Sequence, residues 1–319
     1  MKVLITGRLP DQILSRIESR HAVVANREDR PLERKALLEQ ISDKDGLLCM
    51  ITDRIDQELL EHAPNLRMVA NMAVGYDNID LAAATARGVR VSNTPGVLTE
   101  ATADLTFGLI LATARRIVEG DKRTRSGGFK LFAPLLFLGS EVSGKTLGII
   151  GMGEIGKALA KRARGFDMPV IYHSRRRIDS AEEHALNARY VSLHEVLTDA
   201  DFVSLHVPLS PETRHLIGEA ELKQMKSTAF LINASRGPVV DEHALLDALR
   251  NKVIAGAGLD VYEHEPALTA GLTELDNVVL LPHVGSATRE TRTQMAELAA
   301  ENLLAGLRGE IPPNCLNCG

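Results

Sequence analysis

Short, unbroken apolar runs recur along this chain, separated by longer stretches with helical spacing. Strands that are apolar on both faces must be covered on both faces, which points to parallel sheets with helices packed on each side. The runs are Lys2–Thr6, Ala22–Asn26, Gly46–Ile51, Met68–Asn71 and Arg90–Ser92, then Thr146–Ile150, Val170–His173, Phe202–His206, Ala229–Asn233, Ile254–Leu259 and Val278–Leu281. Helical patterns such as Pro31–Gln40, Asp56–His62 and Asp241–Arg250 lie between them. The class is therefore α/β, and the pattern runs twice, with a first series ending near Ser92 and a second starting at Thr146 after the loop Gly127–Ser143. With 319 residues the chain exceeds one ordinary core, and at roughly 150 residues per domain about two domains are expected.

Composition removes several classes. Hydrophobic residues at 45% and charged residues at 25% give the balance of a globular protein rather than a disordered or fibrous one. A formal net charge of −5 supplies no basic excess to displace phosphate counterions, so nucleic acid is not an expected partner. The three cysteines, Cys49, Cys315 and Cys318, are too few for a disulfide scaffold and fit a reducing, cytoplasmic location. Cys315-Leu-Asn-Cys318 has no second pair to complete a metal site and reads as a frayed end, so no metal is expected. The opening MKVLITGRLP reads as a first strand rather than a signal peptide, and no apolar run reaches the ~20 residues of a membrane span.

Between the two series, Thr99 reads as the N-cap of a helix reaching about Arg116, with Glu100 and Asp104 near its positive end. Ala101, Leu105, Phe107, Leu109, Ile110 and Leu111 make it apolar nearly all round. Such a helix must be covered, either between domains or at a subunit interface. A last helix, about Thr288–Gly306, follows the second series and is expected to return to the first domain.

The strongest local signal is Gly151-Met-Gly153-Glu-Ile-Gly156, directly after an apolar strand and opening a helical stretch. In that setting the glycines fit a dinucleotide-binding turn. Gly151 permits the tight turn, Gly153 lets the backbone approach a pyrophosphate, and Gly156 lets helix pack on strand. The next strand, Val170–His173, ends where an adenosine ribose would sit. An NAD site normally places Asp or Glu there, whereas this chain reads Ser174-Arg175-Arg176-Arg177. A hydroxyl followed by guanidinium groups suits a ribose 2′-phosphate, so NADPH is the expected cofactor, with NADH possible. A solvated basic turn would have the same composition; the position at the ribose favours the phosphate.

Three more polar clusters follow expected strands, where open α/β sheets bind ligands. They are Asn233-Ala-Ser-Arg236-Gly237, Asp260-Val-Tyr-Glu-His-Glu265-Pro266 and Pro282-His283-Val-Gly-Ser286. Arg236 is placed to grip a small carboxylate in an interdomain cleft. Glu265 and His283 form a candidate carboxylate–imidazole pair, in which a carboxylate on one ring nitrogen favours a charged ring able to donate a proton from the other. Each of these residues alone is more often an ordinary surface or capping group; together, behind a dinucleotide turn, they point to catalysis.

These motifs, with Val74-Gly75-Tyr76-Asp77-Asn78-Ile79-Asp80, the segment from Asn93 to Asp104, His206-Val-Pro-Leu209 and Gly258-Leu-Asp-Val-Tyr262, resemble the D-isomer-specific 2-hydroxyacid dehydrogenase family, most closely its glyoxylate/hydroxypyruvate reductase branch, over essentially the whole length. The resemblance implies two doubly wound parallel-sheet domains. A flavodoxin-like substrate domain would comprise residues 1–97 and the return segment 288–319, around a Rossmann NADP(H)-binding domain at 98–287. It places Arg236, Glu265 and His283 on the catalytic positions, and the backbone of Val74 and Gly75 with Arg236 and His283 on the substrate. Thr102, Ile155, Val207, Pro208, Thr213, Ala234 and Asp260 fall on positions lining the cofactor, with Asp260 beside the nicotinamide unless it simply caps its strand. It also implies a homodimer built largely on the nucleotide domain, including the Thr99–Arg116 helix. Relatives carry a Trp in the loop before that domain; this chain has none, and Phe132 takes its place.

The expected activity is NADPH-dependent reduction of small 2-keto acids, glyoxylate to glycolate and hydroxypyruvate to D-glycerate, by hydride transfer with His283 as proton donor. Reduction of 2-ketogluconate or another 2-keto acid on the same framework stays open, as does a nucleotide-sensing module without turnover.

Overall fold

The computed structural model describes residues 1–318, which divide into two compact units: Met1–Leu98 with the segment from Ala287 onward, and Thr99–Ser286. The first unit alternates β1 (Lys2–Ile5), α1 (Asp11–Glu18), β2 (Ala22–Ala25), α2 (Arg34–Ile41), β3 (Gly46–Cys49), α3 (Gln57–His62), β4 (Met68–Asn71), α4 (Leu81–Ala86) and β5 (Arg90–Ser92). All pairings in its five-stranded sheet are parallel, in the order β2-β1-β3-β4-β5, the flavodoxin-like arrangement. β3 and β4 are buried at every residue, as central strands covered on both faces must be. Asp56 and Asp80 each cap the following helix by accepting a backbone N–H.

The second unit contains α5 (Thr99–Ala114), α6 (Ile117–Arg125), β6 (Leu147–Ile150), α7 (Glu154–Ala163), β7 (Val170–His173), α8 (Ser180–Leu186), β8 (Ala188–Tyr190), α9 (Leu193–Asp199), β9 (Phe202–Leu205), α10 (Glu219–Leu222), β10 (Phe230–Asn233), α11 (Glu242–Arg250), β11 (Gly256–Leu259) and β12 (Val278–Leu280). Its seven-stranded sheet runs β12-β11-β10-β9-β6-β7-β8, again all parallel. That is the doubly wound dinucleotide order, with its switch point at β6. Two apolar layers sandwich the sheet, one centred on Val203, Leu231 and Leu245, the other on Ile149, Leu159 and Ile110. Both units are thus the parallel-sheet α/β architectures expected from the alternating pattern.

The last helix, α12 (Arg289–Leu307), starts from Thr288, whose hydroxyl accepts the Thr291 N–H at 3.1 Å, and packs on β3 and β4.

Three local expectations need correction. β8 is an additional edge strand: Ala188-Arg-Tyr190 is short and only half-buried, so it carries no apolar run. Thr99 is the first residue of α5, and the chain breaks at Arg116, with φ 53°, before continuing as α6. α5 packs within its own unit on β10, β11 and α7, while Leu105, Gly108, Leu111 and Ala112 along one face are only partly buried or exposed there. The tail is not frayed. Cys315 and Cys318 are joined in a disulfide, and the tail lies along edge strand β5, with Leu316 N donating to Val91 O at 2.7 Å and Val91 N to Asn317 Oδ1 at 2.9 Å. Pairing of an exposed strand edge orders this segment, a long-range effect invisible in its composition.

At Gly258 in β11, a Cβ would lie 2.6 Å from Leu109 Cγ and 2.8 Å from Thr113 Oγ1 on α5. Gly258→Ala gains at most about 1 kcal/mol from reduced unfolded-chain entropy, while overpacking costs about 1–3 kcal/mol. The variant is expected to be less stable in urea titrations; equal or greater stability would show that α5 yields freely.

Candidate active site

The turn after β6 has the properties a dinucleotide requires. Gly151 sits at φ 102°, and a Cβ there would come within 2.7 Å of the His206 carbonyl carbon, so two strand ends can meet only over glycine. At Gly156 a Cβ would fall 2.4 Å from Gly151 O, which is how α7 seats on the turn. Gly153 is the N-cap of α7, with no side-chain cap and nothing within 4 Å of a notional Cβ. The first turn of α7 therefore has no side-chain cap at the positive end of the helix dipole, a place suited to a pyrophosphate. Ile155, within that turn, is half-buried.

His206, just past β9, bonds through Nε2 to Ser204 Oγ at 2.8 Å, and burial brings its pKa down to about 4. It is a neutral structural ring beside the turn. Beyond it, Thr213 folds the Pro208–Thr213 loop on itself, its hydroxyl donating to Pro208 O at 2.7 Å and accepting from Ser210 N at 2.8 Å. Val207 is half-buried and Pro208 exposed. On the other side of the switch point, Ser174 follows β7 and is half-buried, while Arg175 and Arg176 are exposed. Arg177 is engaged instead by Glu183 at 2.6 and 2.8 Å.

β10, β11 and β12 end in register, with Asn233 opposite Leu259 and Leu259 opposite Leu280, so the segments beyond them emerge side by side. After β10, Asn233 ties down its own loop: its Oδ1 accepts from Ser235 N at 3.0 Å and its Nδ2 donates to Arg236 O at 2.9 Å. Arg236 Nη1 donates to Ser235 O at 2.8 Å. The neighbouring Gly237 is pressed so closely on Tyr262 that a Cβ would fall 1.8 Å from its carbonyl. Ala234, half-buried, completes this turn.

After β11, Tyr262 braces two elements at once. Its N–H donates to Glu265 Oε1 at 2.9 Å and its hydroxyl to Leu281 O at 2.7 Å. Asp260 is 1% exposed, and its carboxylate accepts the N–H groups of Val284 at 2.7 Å and Gly285 at 2.8 Å. Burial raises its pKa against those bonds. This is the strand-end cap, with both oxygens committed to the His283 loop. Thr102 is buried alongside, its Cγ2 3.4 Å from a notional Cβ on Gly285. His283 itself adopts φ 53°, unusual for a bulky residue, and its N–H donates to Asp260 O at 2.9 Å.

These loops bring Glu265 Oε2 to 2.8 Å from His283 Nδ1, with the two side chains 32% and 34% exposed. Burial pushes the Glu265 pKa up, but the His283 hydrogen bond and charge, the Tyr262 N–H and the Arg236 charge together hold it below the usual value. Among the described residues His283 Nε2 has no hydrogen-bond partner, so one nitrogen is anchored and the other is available for proton transfer. Glu265 and His283 thus meet in the Thr99–Ser286 unit, with the Arg236 charge near enough to act on Glu265. Val74 and Gly75 belong to the other unit, where their carbonyls accept from Asn93 Nδ2 at 2.8 Å and Asn71 Nδ2 at 2.9 Å. Neither Tyr262 as a brace nor Glu183 as the partner of Arg177 is legible from residue type or spacing, since each acts across a turn that only the folded chain brings together.

Comparison with known proteins accords with this geometry. Residues 107–285 match the D-isomer specific 2-hydroxyacid dehydrogenase, NAD binding domain. The chain is 54% identical to the glyoxylate reductase of Thermococcus litoralis, over 99% of this chain and 96% of that one, and 53% identical to the glyoxylate reductase of Pyrococcus furiosus, over 99% and 95%. A crystal structure of an NADPH-dependent glyoxylate/hydroxypyruvate reductase from Sinorhizobium meliloti, in complex with NADP and malonate, is similar at a TM-score of 0.86 and 32% identity, covering 99% of this chain and 96% of that one. The chain belongs to the D-isomer-specific 2-hydroxyacid dehydrogenase family and is an enzyme of that family with a nicotinamide-dinucleotide-binding domain. No helix among the described residues is long and apolar enough to cross a membrane.

The unfolded chain binds the His206 proton near pH 6.5, while the folded chain binds it only near 4. Between those values the unfolded state holds more protons, so this contribution to stability is present above pH 6.5 and is lost as pH falls toward 4. His206→Gln is expected to flatten the pH dependence of urea unfolding in that window, by up to about 1.4 kcal/mol per pH unit. An unchanged slope would mean His206 is protonated in the fold.

Proposed function

We propose that this enzyme reduces small 2-keto acids with NADPH, glyoxylate to glycolate and hydroxypyruvate to D-glycerate. The observation that carries the reading is the Glu265–His283 pair, 2.8 Å apart on loops that follow adjacent parallel strands in the unit that also holds the glycine turn. Glyoxylate reductases at about half identity over the full length support the substrate class. The NADP-bound relative and the Ser174-Arg175-Arg176 run support NADPH.

In this reading Gly151, Gly153 and Gly156 seat the pyrophosphate at the start of α7, Thr102, Ile155, Val207, Pro208, Thr213 and Ala234 line the cofactor, and Ser174, Arg175 and Arg176 meet the 2′-phosphate. A bound reduced nicotinamide supplies the hydride that arrives at C2 of the keto acid. Arg236 binds the substrate carboxylate and polarises the keto oxygen, with the N–H groups of Val74 and Gly75 as further carboxylate anchors. His283 delivers its Nε2 proton to the oxygen as charge develops there, and Glu265, ionised and bonded to Nδ1, fixes the ring's orientation. Asp260 acts behind the site, holding His283 in place.

The chain is proposed to work as a homodimer built on its nucleotide-binding unit. Phe129, Leu131, Phe132, Leu135 and Leu138 are exposed in the segment after α6, as is Ile117 at the start of that helix. Exposed apolar side chains concentrated in one segment favour a covering partner, here a second copy.

His283→Ala is expected to lower kcat with glyoxylate by about 10²–10⁴-fold, and Arg236→Ala to raise KM and lower kcat together. Measured over a panel of glyoxylate, hydroxypyruvate, 2-ketogluconate and pyruvate with both cofactors, a near-wild-type rate for His283→Ala would remove it as the donor, and preference for a larger acid would reassign the substrate. In sedimentation equilibrium the wild type is expected to be dimeric and Phe132→Asp/Leu135→Asp monomeric; a wild-type monomer would reject the dimer.

A further inference from the structure

The turn joining β7 to α8 carries the basic run, and it is fastened at three points. Tyr190 on edge strand β8 donates its hydroxyl to Ser174 O at 3.3 Å. The buried Tyr172 hydroxyl accepts from Ile178 N at 3.1 Å and donates to Glu183 Oε1 at 2.7 Å. Arg177 forks onto the same carboxylate, Nε to Oε1 at 2.8 Å and Nη2 to Oε2 at 2.6 Å, with its guanidinium 5.9 Å above the Tyr190 ring. Glu183 is 10% exposed in its side chain. The hydrogen bonds from Arg177 and then Tyr172 hold its pKa at about 2, so it is ionised wherever the enzyme works. Between the fasteners, Arg175 and Arg176 are exposed. Arg175 also faces the Pro208–Thr213 loop, where its charge, after the Ser210 hydrogen bond, helps keep the Glu212 pKa low.

Three consecutive exposed arginines therefore divide into one paired with a largely buried carboxylate and two that are presented. Resting on the NADPH reading above, we propose that Glu183 is a positioning residue that sets cofactor choice: by holding Arg177 bidentately and Tyr172 through its hydroxyl, it fixes the turn so that Arg175 and Arg176 meet the ribose 2′-phosphate. Bidentate Arg–carboxylate contacts fix geometry as well as energy. A 2′-phosphate depends on guanidinium placement, whereas a 2′-hydroxyl does not, so the effect is confined to the phosphorylated cofactor. Glu183 touches neither substrate nor reacting atoms, and kcat is independent of it.

The test measures KM and kcat for NADPH and NADH in the wild type, Glu183→Gln, Arg177→Ala, their double variant, and Arg175→Ala/Arg176→Ala. Glu183→Gln is expected to raise KM for NADPH about tenfold, the worth of roughly one charge-assisted contact, with KM for NADH and both kcat values within about twofold. An intact NADH rate certifies the fold. The double variant is expected to be no worse than Glu183→Gln, because the pair acts as a unit. An unchanged NADPH KM overturns the proposal. So does a lowered one, which would mean that a released Arg177 takes the phosphate itself, and so does an equal rise for both cofactors. If Arg175→Ala/Arg176→Ala weakens both cofactors equally, the NADPH reading falls and this inference with it. If that variant loses NADPH alone while Glu183→Gln retains it, only the positioning role of Glu183 falls.

Discussion

The carboxylate of Asp260, buried at the end of β11, accepts the backbone N–H groups of Val284 and Gly285 and thereby fixes the loop that carries His283. His283 occupies the left-handed region at φ 53°, which costs a bulky residue on the order of 1–2 kcal/mol. Hydrogen bonds to a charged acceptor contribute about 1.5–3 kcal/mol each, so two of them, with the His283 N–H bond to Asp260 O, outweigh that strain. Only then does the imidazole reach Glu265 with one nitrogen and leave the other open. Asp260 thus acts first as the support on which the Glu265–His283 pair stands.

Around that support, proximity comes from the sheet. Neighbouring parallel strands lie about 4.8 Å apart, and β10, β11 and β12 finish in register. Arg236, Glu265 and His283 are far apart in sequence yet each lies a few residues beyond one of these ends. Tyr262 then couples the middle loop to both sides, through Glu265 and through Leu281 O, and the tight Gly237–Tyr262 contact brings the Arg236 loop against it. The glycine turn sits at the opposite side of β9, where strand order reverses, as open α/β sheets place their ligand crevice. Positioning and charge are thereby built on rigid strand ends, which suits a reaction whose hard chemistry belongs to a cofactor.

Much of this was legible in the chain. Continuous apolar runs marked eleven of the strands to within a residue or two, the central ones because burial on both faces leaves no choice of residue. Gly151, Gly153 and Gly156 declared their turn because each answers a local steric demand. β8 escaped because a half-buried edge strand needs no apolar run, and the tail was misread because its pairing to β5 depends on where Val91 lies. The division of labour among Arg175, Arg176 and Arg177 was equally hidden, since it turns on a glutamate six residues beyond Arg177 and a tyrosine on the edge strand.

The sequence by itself determined the periodicities, the strand and helix series, and the residue types at strand ends, all set by short-range sterics and by the need to bury apolar surface. Only the tertiary structure decided which charged and polar groups meet: Glu265 with His283, Asp260 with the backbone behind it, Glu183 with Arg177. Hydrogen bonds depend on distances of a few tenths of an ångström, and such distances between residues remote in the chain exist only once strand register and loop path are fixed.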